Sequence, residues 1–305
     1  MATFTTMLPE LLEPWVTRIF FNEYSQIEVL YPKLFNTKKS SKAFEDTFKV
    51  SGLGTFVSKP EGTPVSYDDP VQSGRKRVVM QTFALGFRVT MEMMDDDQHS
   101  IISKMPQELG RSARDHQENL AWGLLNDAFT GTTYTGIPEG DGNRRSLINT
   151  GHIALKSGTT QSNQLNPGVA LSVAGIESAV TIFELSQDEQ DRYIRIDPKS
   201  IVIHPSERFN AARYLESTQE PDTANNAINP VNRLGVSIMR VPYLTDIDAW
   251  FMFASKAQHS LCWYDRMELT MSRNKDAQTK DSLFDAMYRA QVTFDDYRGV
   301  VGSQP

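Results

Sequence analysis

The stretch TMEMMDDDQHS, residues 90–100, has the residue types and spacing in this chain that are best suited to chemistry. Three consecutive aspartates, Asp95, Asp96 and Asp97, are followed two positions later by His99. Carboxylates beside an imidazole can hold a divalent metal ion, which hydrolases use to activate water. A metal-dependent hydrolase that uses Asp95, Asp97 and His99 is therefore one hypothesis for the function.

The same stretch also has a structural interpretation, because it joins a strand pattern to a helix pattern. Aspartates at the start of a helix interact favourably with the helix dipole and cap its free N–H groups. Three adjacent residues point in different directions on a helix, so they cannot all face one ion. No second cluster of acidic residues and histidine supplies the missing ligands. The sequence therefore favours helix capping over a metal site.

The other histidines and the single cysteine form no known catalytic arrangement. The chain has no HExxH or HxH pattern, no G-x-S-x-G elbow, no GxxxxGK[ST] phosphate loop and no GxGxxG motif after a strand. We expect His116 to be a packing or surface residue, and His152 and His204 to make structural hydrogen bonds. Cys262 lies in an apolar stretch and is expected to be a small core residue. The sequence thus predicts neither a catalytic nucleophile nor a cofactor.

The composition is that of a soluble globular chain with room for a sizeable core. Its 305 residues are 39% hydrophobic and 23% charged. The net charge of −7 argues against a broad basic face for nucleic acid, so any DNA contact is expected to be local, at Arg75–Arg77 or Arg144–Arg145. One cysteine excludes a disulfide framework within the chain. Without a membrane-length apolar run or a secretory signal pattern, the protein is expected to start in a cytoplasm.

The N-terminal part is predicted to form an arm and a hairpin. Residues 1–46 contain a short apolar helix pattern and are too apolar to float freely in water. Residues 47–57 and 76–93 are predicted to be strands, the second with clear alternation of apolar and polar residues. The loop between them, 58–74, is long, and such loops are usually functional. Because an isolated two-stranded ribbon is marginally stable, its apolar face is expected to meet another subunit.

The middle of the chain alternates helix patterns with polar loops. The apolar residues from Ile102 to Leu124 predict an amphipathic helix that runs to about Phe129, with Pro106 either kinking or restarting it, followed by a long ordered loop over 130–168. Further elements are a helix over 170–187, a buried strand over 199–205 and a helix capped by Ser206. A polar loop follows over 217–233.

The C-terminal part is mostly strands. They are predicted over 236–244, 249–255, 260–273 and 282–298. In the last strand the even-numbered residues from Phe284 to Phe294 share one apolar face. Because helix runs and strand runs are segregated along the chain, the predicted fold class is α+β. An arm, a projecting hairpin and a terminal sheet can bury their apolar faces fully only against neighbours, so the residues favour a protein that assembles.

This order of parts resembles the major capsid proteins of tailed bacteriophages, which have the Hong Kong 97-type fold. Local motifs strengthen the resemblance. DGNRRSLINTGHIALKSGTTQSN, residues 141–163, is similar to the DG…L…H…SN segment of the Mu-like major head subunits, where it precedes a helix that begins ALS, as at 170–172 here. Ile148 departs from that pattern, because those relatives often carry Phe. SIVIHPSERFNAARYL, YLTDIDAWFMFA and FDAMYRAQVTFDDYRGVVG resemble further segments of the family.

The resemblance implies a division of the chain. It gives an N-terminal arm (1–46), an extended hairpin loop (47–93), a spine helix with connecting loop (94–169), an axial domain (170–255) and C-terminal strands of a peripheral domain (256–305). It implies a shell subunit that assembles as hexamers and pentamers into an icosahedral head around double-stranded DNA. The hairpin would lie across an adjacent subunit.

The resemblance also implies interface residues and partners. The inter-subunit candidates are Trp15, Phe20, Lys59, Tyr67, Asp69, Arg75, Arg77 and Arg298. Expected partners are a separate scaffolding protein, a portal protein, a decoration protein and non-specifically contacted DNA, without a membrane. We expect little or no N-terminal processing, no crosslink at Lys59, assembly in the bacterial cytoplasm and residence in the virion. An encapsulin-like protein compartment and the metal-dependent hydrolase remain as alternatives.

Overall fold

The computed structural model describes residues 8–90, 92–93, 101–219, 228–276, 278–279 and 281–305. The helices in these ranges are α1 (Leu8–Gln26), α2 (Tyr31–Leu34), α3 (Ile101–Asn126), α4 (Val173–Glu184) and α5 (Arg208–Glu216). The strands are β1 (Asn36–Lys39), β2 (Phe44–Thr47), β3 (Lys76–Val79), β4 (Gln81–Val89), β5 (His152–Ile153), β6 (Thr160–Gln161), β7 (Pro198–Ile203), β8 (Ser237–Arg240), β9 (Trp250–Ala254), β10 (Leu261–Lys275), β11 (Ser282–Phe294) and β12 (Val300–Ser303). No described helix meets the length and apolarity needed to cross a membrane.

The first sheet is built around a long antiparallel ribbon of β10 and β11. Its strand order is β1-β10-β11-β4, with β4 antiparallel to β11 and β1 parallel to β10. The even-numbered residues of β11 from Phe284 to Phe294 are all buried, as their alternation predicts. Helix α3 packs on this sheet and contributes Trp122, which is fully buried. The period-2 pattern therefore creates the face on which the long helix lies.

The arm packs on its own chain. Helix α1 lies against α3, and the Phe20 side chain packs between Leu109 of α3 and Ala286 of β11. The arm then continues through α2 into β1, which adds a parallel strand to the first sheet. Within the described part of the arm, Phe20 and Phe35 are thus buried in their own subunit, whereas Trp15 stays exposed.

The second sheet has the order β12-β9-β7-β8 and carries its own core. Strand β9, with the sequence WFMFA, is buried at every position, because both faces of the sheet are covered. Strand β7 runs parallel to β8 and antiparallel to β9. Strand β12, close to the C-terminus, completes this sheet beside β9. Strand β12 thus belongs to the second sheet, whereas β10 and β11 belong to the first.

Three local predictions are corrected. Residues 47–57 are not a strand beyond Thr47, because the glycines at 52 and 54 interrupt the segment and its pairing with the returning arm is reduced to an isolated bridge between Val50 and Gln72. Ser206 does not cap a helix through its side chain. Instead, the His204 ring accepts a hydrogen bond from the Ser206 N–H at the start of a 3-10 turn that precedes α5. Helix α3 runs from Ile101 through Pro106 and ends at Asn126, before the predicted end at Phe129.

Candidate assembly interface

The hairpin loop, residues 48–74, extends from the paired strands β2 and β3. The two strands pair from Phe44–Val79 to Thr47–Lys76. Val78 and Met80 cover Cys262 and Tyr264, and this contact fixes the loop base to the first sheet and confirms Cys262 as a buried core residue. Beyond the strands, the two arms of the loop exchange few backbone hydrogen bonds. One runs from the Ser51 N–H to the Val71 carbonyl at 2.8 Å.

The hairpin loop exposes apolar side chains to an unusual degree. Phe56 is fully exposed, and Tyr67 and Val57 are 91% and 72% exposed. Further exposed apolar residues of the loop are Phe48, Val50, Leu53, Val65 and Val71. Single exposed apolar residues are normal, but a dense set on one projecting segment marks an interaction surface.

Contacts with the subunit's own body hold only the proximal part of the loop. The Asp68 carboxylate pairs with Lys156 and accepts a 2.7 Å hydrogen bond from the Gly54 N–H, which closes the neck of the loop. The Gln190 side chain donates to the Gly52 carbonyl at 2.8 Å. Residues 55–67, here called the loop tip, lie beyond these anchors and are exposed throughout.

A cluster of buried charges stands at the foot of the loop. It consists of Lys49, Glu189, Asp296 and Arg298 and is called the base cluster. The Lys49 ammonium lies 2.9 Å from both carboxylates, and Arg298 Nη1 lies 2.6 Å from Glu189. Burial alone would raise the pKa of Asp296, but the charges of Lys49 and Arg298 outweigh it and hold that pKa below its usual range. The base cluster thus ties the loop to residues far away in sequence.

The DG…L…H…SN segment forms a second polar network. His152 Nδ1 lies 2.5 Å from Glu139, and its Nε2 lies 3.1 Å from Asn163 Oδ1. The Asn163 amide donates to the carbonyls of Leu147 at 2.8 Å and Val300 at 3.0 Å. His152 also stacks on Tyr297. The network orders the connecting loop and fastens it to β12, which confirms the loop-ordering hydrogen bond predicted for His152.

The predicted interface residues fall into two groups. Exposed residues are Trp15, Lys59, Tyr67, Asp69, Arg75 and Arg77. Arg77 is paired with Asp46 at 2.9 Å, and Arg75 lies 3.3 Å from the same carboxylate. Phe20 and Arg298 form the second group, because Phe20 is 0% and Arg298 8% exposed within the single subunit. Their side chains have little surface left for a neighbour.

Two features of this region were not predicted from the sequence. Sequence reasoning did not single out Phe56 and Val57, which are among the most exposed apolar residues of the loop. The available signal was their position between two glycines and a proline, where no strand partner can cover them. The base cluster was missed as well, because its members are distant in sequence.

The residues proposed for metal chemistry, Asp95, Asp97 and His99, lie outside the described residues. Within the described ranges, no group of three or more His, Cys, Asp and Glu side chains is placed to hold a metal ion. His116 lies on α3, where its Nδ1 is 2.5 Å from the Tyr288 hydroxyl.

A sequence profile of the family described as phage capsid protein matches residues 75–303. The chain belongs to this family. It is a structural subunit of a bacteriophage head shell, of the tailed-phage major capsid type, and its place is the capsid of the virion. No curated protein sequence matches the chain.

Solved structures agree on the fold, which is of the Hong Kong 97 type. A chain of the procapsid of bacteriophage JBD30 is 15% identical, with a TM-score of 0.55 over 99% of this chain and 76% of that one. A chain from Microbacterium phage Oxtober96 is 12% identical, with a TM-score of 0.56 over 92% and 91%. The virus-like particle from Pyrococcus furiosus is 11% identical, with a TM-score of 0.51 over 94% and 96%. The α+β prediction is confirmed.

Proposed function

We propose that copies of this chain assemble as hexamers and pentamers into an icosahedral shell that encloses double-stranded DNA. In this arrangement the hairpin loop of each subunit lies across an adjacent subunit. The observation that carries the proposal is the exposure of Phe56, Val57 and Tyr67 on a tip that its own body does not hold. Burying such side chains against neighbours stabilises a shell, and symmetry repeats the gain at every contact.

The proposed partners follow from the role of a shell subunit. We propose that a separate scaffolding protein and a portal protein act during assembly in the bacterial cytoplasm, and that a decoration protein can bind the finished shell. DNA contacts are non-specific, because contacts to phosphates read no base sequence, and they are few, because the subunit has a net charge of −7. The segments that carry Arg75 and Arg144 are one such place, since the Arg144 guanidinium donates a hydrogen bond to the Arg75 carbonyl. The role requires no enzymatic activity, cofactor or metal.

A protein compartment without DNA is the second candidate. The observation that favours it is the likeness in fold to the virus-like particle from Pyrococcus furiosus. The match to the phage capsid protein family favours the head shell. The contents of purified particles separate the two candidates: nuclease-protected DNA supports the head shell, and a protein cargo supports the compartment.

The experiment compares two matched triple variants in cells that express the full chain with the phage's other head proteins. The first, Phe56→Ser with Val57→Ser and Tyr67→Ser, removes the apolar side chains of the loop tip. The second, Thr55→Ala with Ser58→Ala and Ser66→Ala, removes polar side chains from the same segment. We expect closed shells by electron microscopy for the wild type and the second variant, and folded unassembled subunits for the first. Normal shells from the first variant would contradict the proposal.

A further inference from the structure

A cavity of about 260 Å³ opens between α1, α2 and β10. Its walls combine aromatic rings with carboxylates. The rings include Tyr24, Tyr31 and Trp263, and the carboxylates are those of Asp265 and Glu268. Aromatic faces and carboxylates both attract cations, so this combination fits the end of a basic side chain.

The aromatic wall already holds one cation. The Arg114 guanidinium lies 3.6 Å from the ring centroid of Tyr24. Tyr31 and Trp263 pack against each other with a centroid distance of 4.5 Å, which fixes the orientation of both rings. The wall is therefore rigid, and one of its rings already makes a cation–π contact within the subunit.

The two carboxylates of the cavity share one cation of the same subunit, Lys39. Glu268 pairs with Lys39 at 2.5 Å. Within the described residues, the Asp265 side chain makes no ion pair and accepts no hydrogen bond. Burial raises the pKa of Asp265, and the charge of Glu268 raises it further. A second cation would offset both effects.

The loop tip carries one basic residue, Lys59. It is exposed and makes no ion pair with a described residue. The neighbouring Phe56 is fully exposed in the single subunit, so the tip makes no packing contact with its own body there. Phe21, on the cavity wall, is 39% exposed and offers an apolar surface for Phe56 or Val57. Charge and apolar surface are thus complementary between tip and cavity.

We propose that Lys59 of one subunit enters this cavity of a second copy, with its ammonium group between Asp265, Glu268 and the aromatic rings. The choice of Lys59 as the occupant rests on the proposed function, in which the loop lies across an adjacent subunit. The proposal names the place on that neighbour where the tip binds and the residue that selects it.

Zero-length carbodiimide crosslinking of assembled particles tests the contact directly. Particles are assembled from a mixture of light and isotopically heavy subunits and analysed by mass spectrometry. We expect an amide bond between Lys59 and Asp265 or Glu268, with heavy–light pairs that prove an inter-subunit link. A Lys59 link to other carboxylates, or no link at Asp265 and Glu268, would overturn the proposal.

A charge reversal at Lys59 tests how much this contact contributes to assembly. Lys59→Glu is expected to lower the yield of shells about tenfold, a factor that a change of one to two kilocalories per mole produces. Adding Glu268→Lys, at a largely exposed position, is expected to restore the yield. Lys199→Glu, at another exposed lysine, is the matched control and should assemble normally.

The cavity proposal and the proposed function of the loop predict different results for these variants. If Lys59→Glu assembles normally while the apolar triple variant does not, the tip binds a neighbour elsewhere and only the cavity proposal is wrong. If the apolar triple variant also assembles normally, the proposed function of the loop is wrong.

Discussion

The hairpin loop and the base cluster are neighbours that break the usual distribution of side chains in opposite ways. The loop exposes Phe56 and Tyr67, which folded proteins normally cover. The base cluster buries Glu189 and Arg298, at 7% and 8% exposure, although charged residues are normally solvated. One region places apolar groups in water, and the other places charges in the interior.

The difference separates the contacts that one subunit makes by itself from the contacts that only an assembled shell can make. The charges of the base cluster find partners within the chain, so their burial stabilises the subunit and fixes the foot of the loop. The apolar residues of the loop tip find no partner there. Four predictions use this contrast, and they are ordered by their expected effect on the isolated subunit.

Breaking the base cluster should have the largest effect on the subunit. In Arg298→Met, Lys49 is left as the one cation of the cluster facing Glu189 and Asp296. We expect the free energy of unfolding to fall by about 3–5 kcal/mol, because a buried charge loses its partner. Denaturant unfolding measures the change. Arg195→Met, which removes a highly exposed arginine, is the control, and an equal loss in both variants would refute the special role of the cluster.

Asp127 is a second internally satisfied charge, remote in sequence from the loop. Burial would raise its pKa, but hydrogen bonds from the Thr132 and Thr130 hydroxyls and from the backbone N–H groups of Tyr134 and Thr133 lower that pKa to about 2. A lowered pKa means that the ionised carboxylate stabilises the fold above pH 4, and that this contribution is lost as the pH falls towards 2.

We therefore expect Asp127→Asn to lower the free energy of unfolding at neutral pH by about 2 kcal/mol, at 1.36 kcal/mol per pKa unit. The difference between wild type and variant should shrink between pH 4 and pH 2. Unfolding titrations over that range measure it, with exposed Asp197→Asn as the control. A difference that does not change with pH would argue against the pKa assignment.

Removing a surface pair should matter much less. Arg77 pairs with Asp46 at 2.9 Å, but its side chain is 44% exposed. We expect Arg77→Gln to lower the free energy of unfolding far less than Arg298→Met does, because exposed ion pairs are screened by water and salt. If this variant unfolds as easily as Arg298→Met, burial does not distinguish the two sites.

The loop tip should have the smallest effect on the subunit and the largest on the shell. We expect Phe56→Ser to change the free energy of unfolding of the unassembled subunit by less than about 0.5 kcal/mol, as exposed substitutions do. Assembly should nevertheless fail or slow strongly. Denaturant unfolding measures the stability of the subunit, and sedimentation of the same preparation measures assembly. A large loss of subunit stability would show that the loop packs on its own body.

Local patterns were enough to predict part of this molecule. The alternation in β11, the long helix and the burial of Cys262 depend on neighbours in sequence, and the structure agrees with each. The order of the parts also led to the correct fold family. Strand β4 could be assigned because its period-2 pattern meets a partner over its whole length, whereas the segment 47–57 was predicted as a strand but keeps only an isolated bridge, between Val50 and Gln72.

Contacts between distant residues could not be predicted from the sequence. The parallel pairing of β1 with β10 and the place of β12 beside β9 are decided by tertiary packing. The base cluster joins Lys49 to Glu189 and Asp296, which are distant in sequence, so no local spacing could predict it. Phe20 and Arg298 were named as interface candidates through the family resemblance, and only the folded subunit shows that their own chain covers them.

The most direct test of the account is the structure of the assembled particle by electron cryomicroscopy. We predict that Phe56 and Tyr67 of each hairpin loop are buried against an adjacent subunit, while the base cluster keeps the contacts of the isolated chain. Loop tips that remain in solvent throughout the shell would contradict the central claim that these exposed residues form the assembly interface.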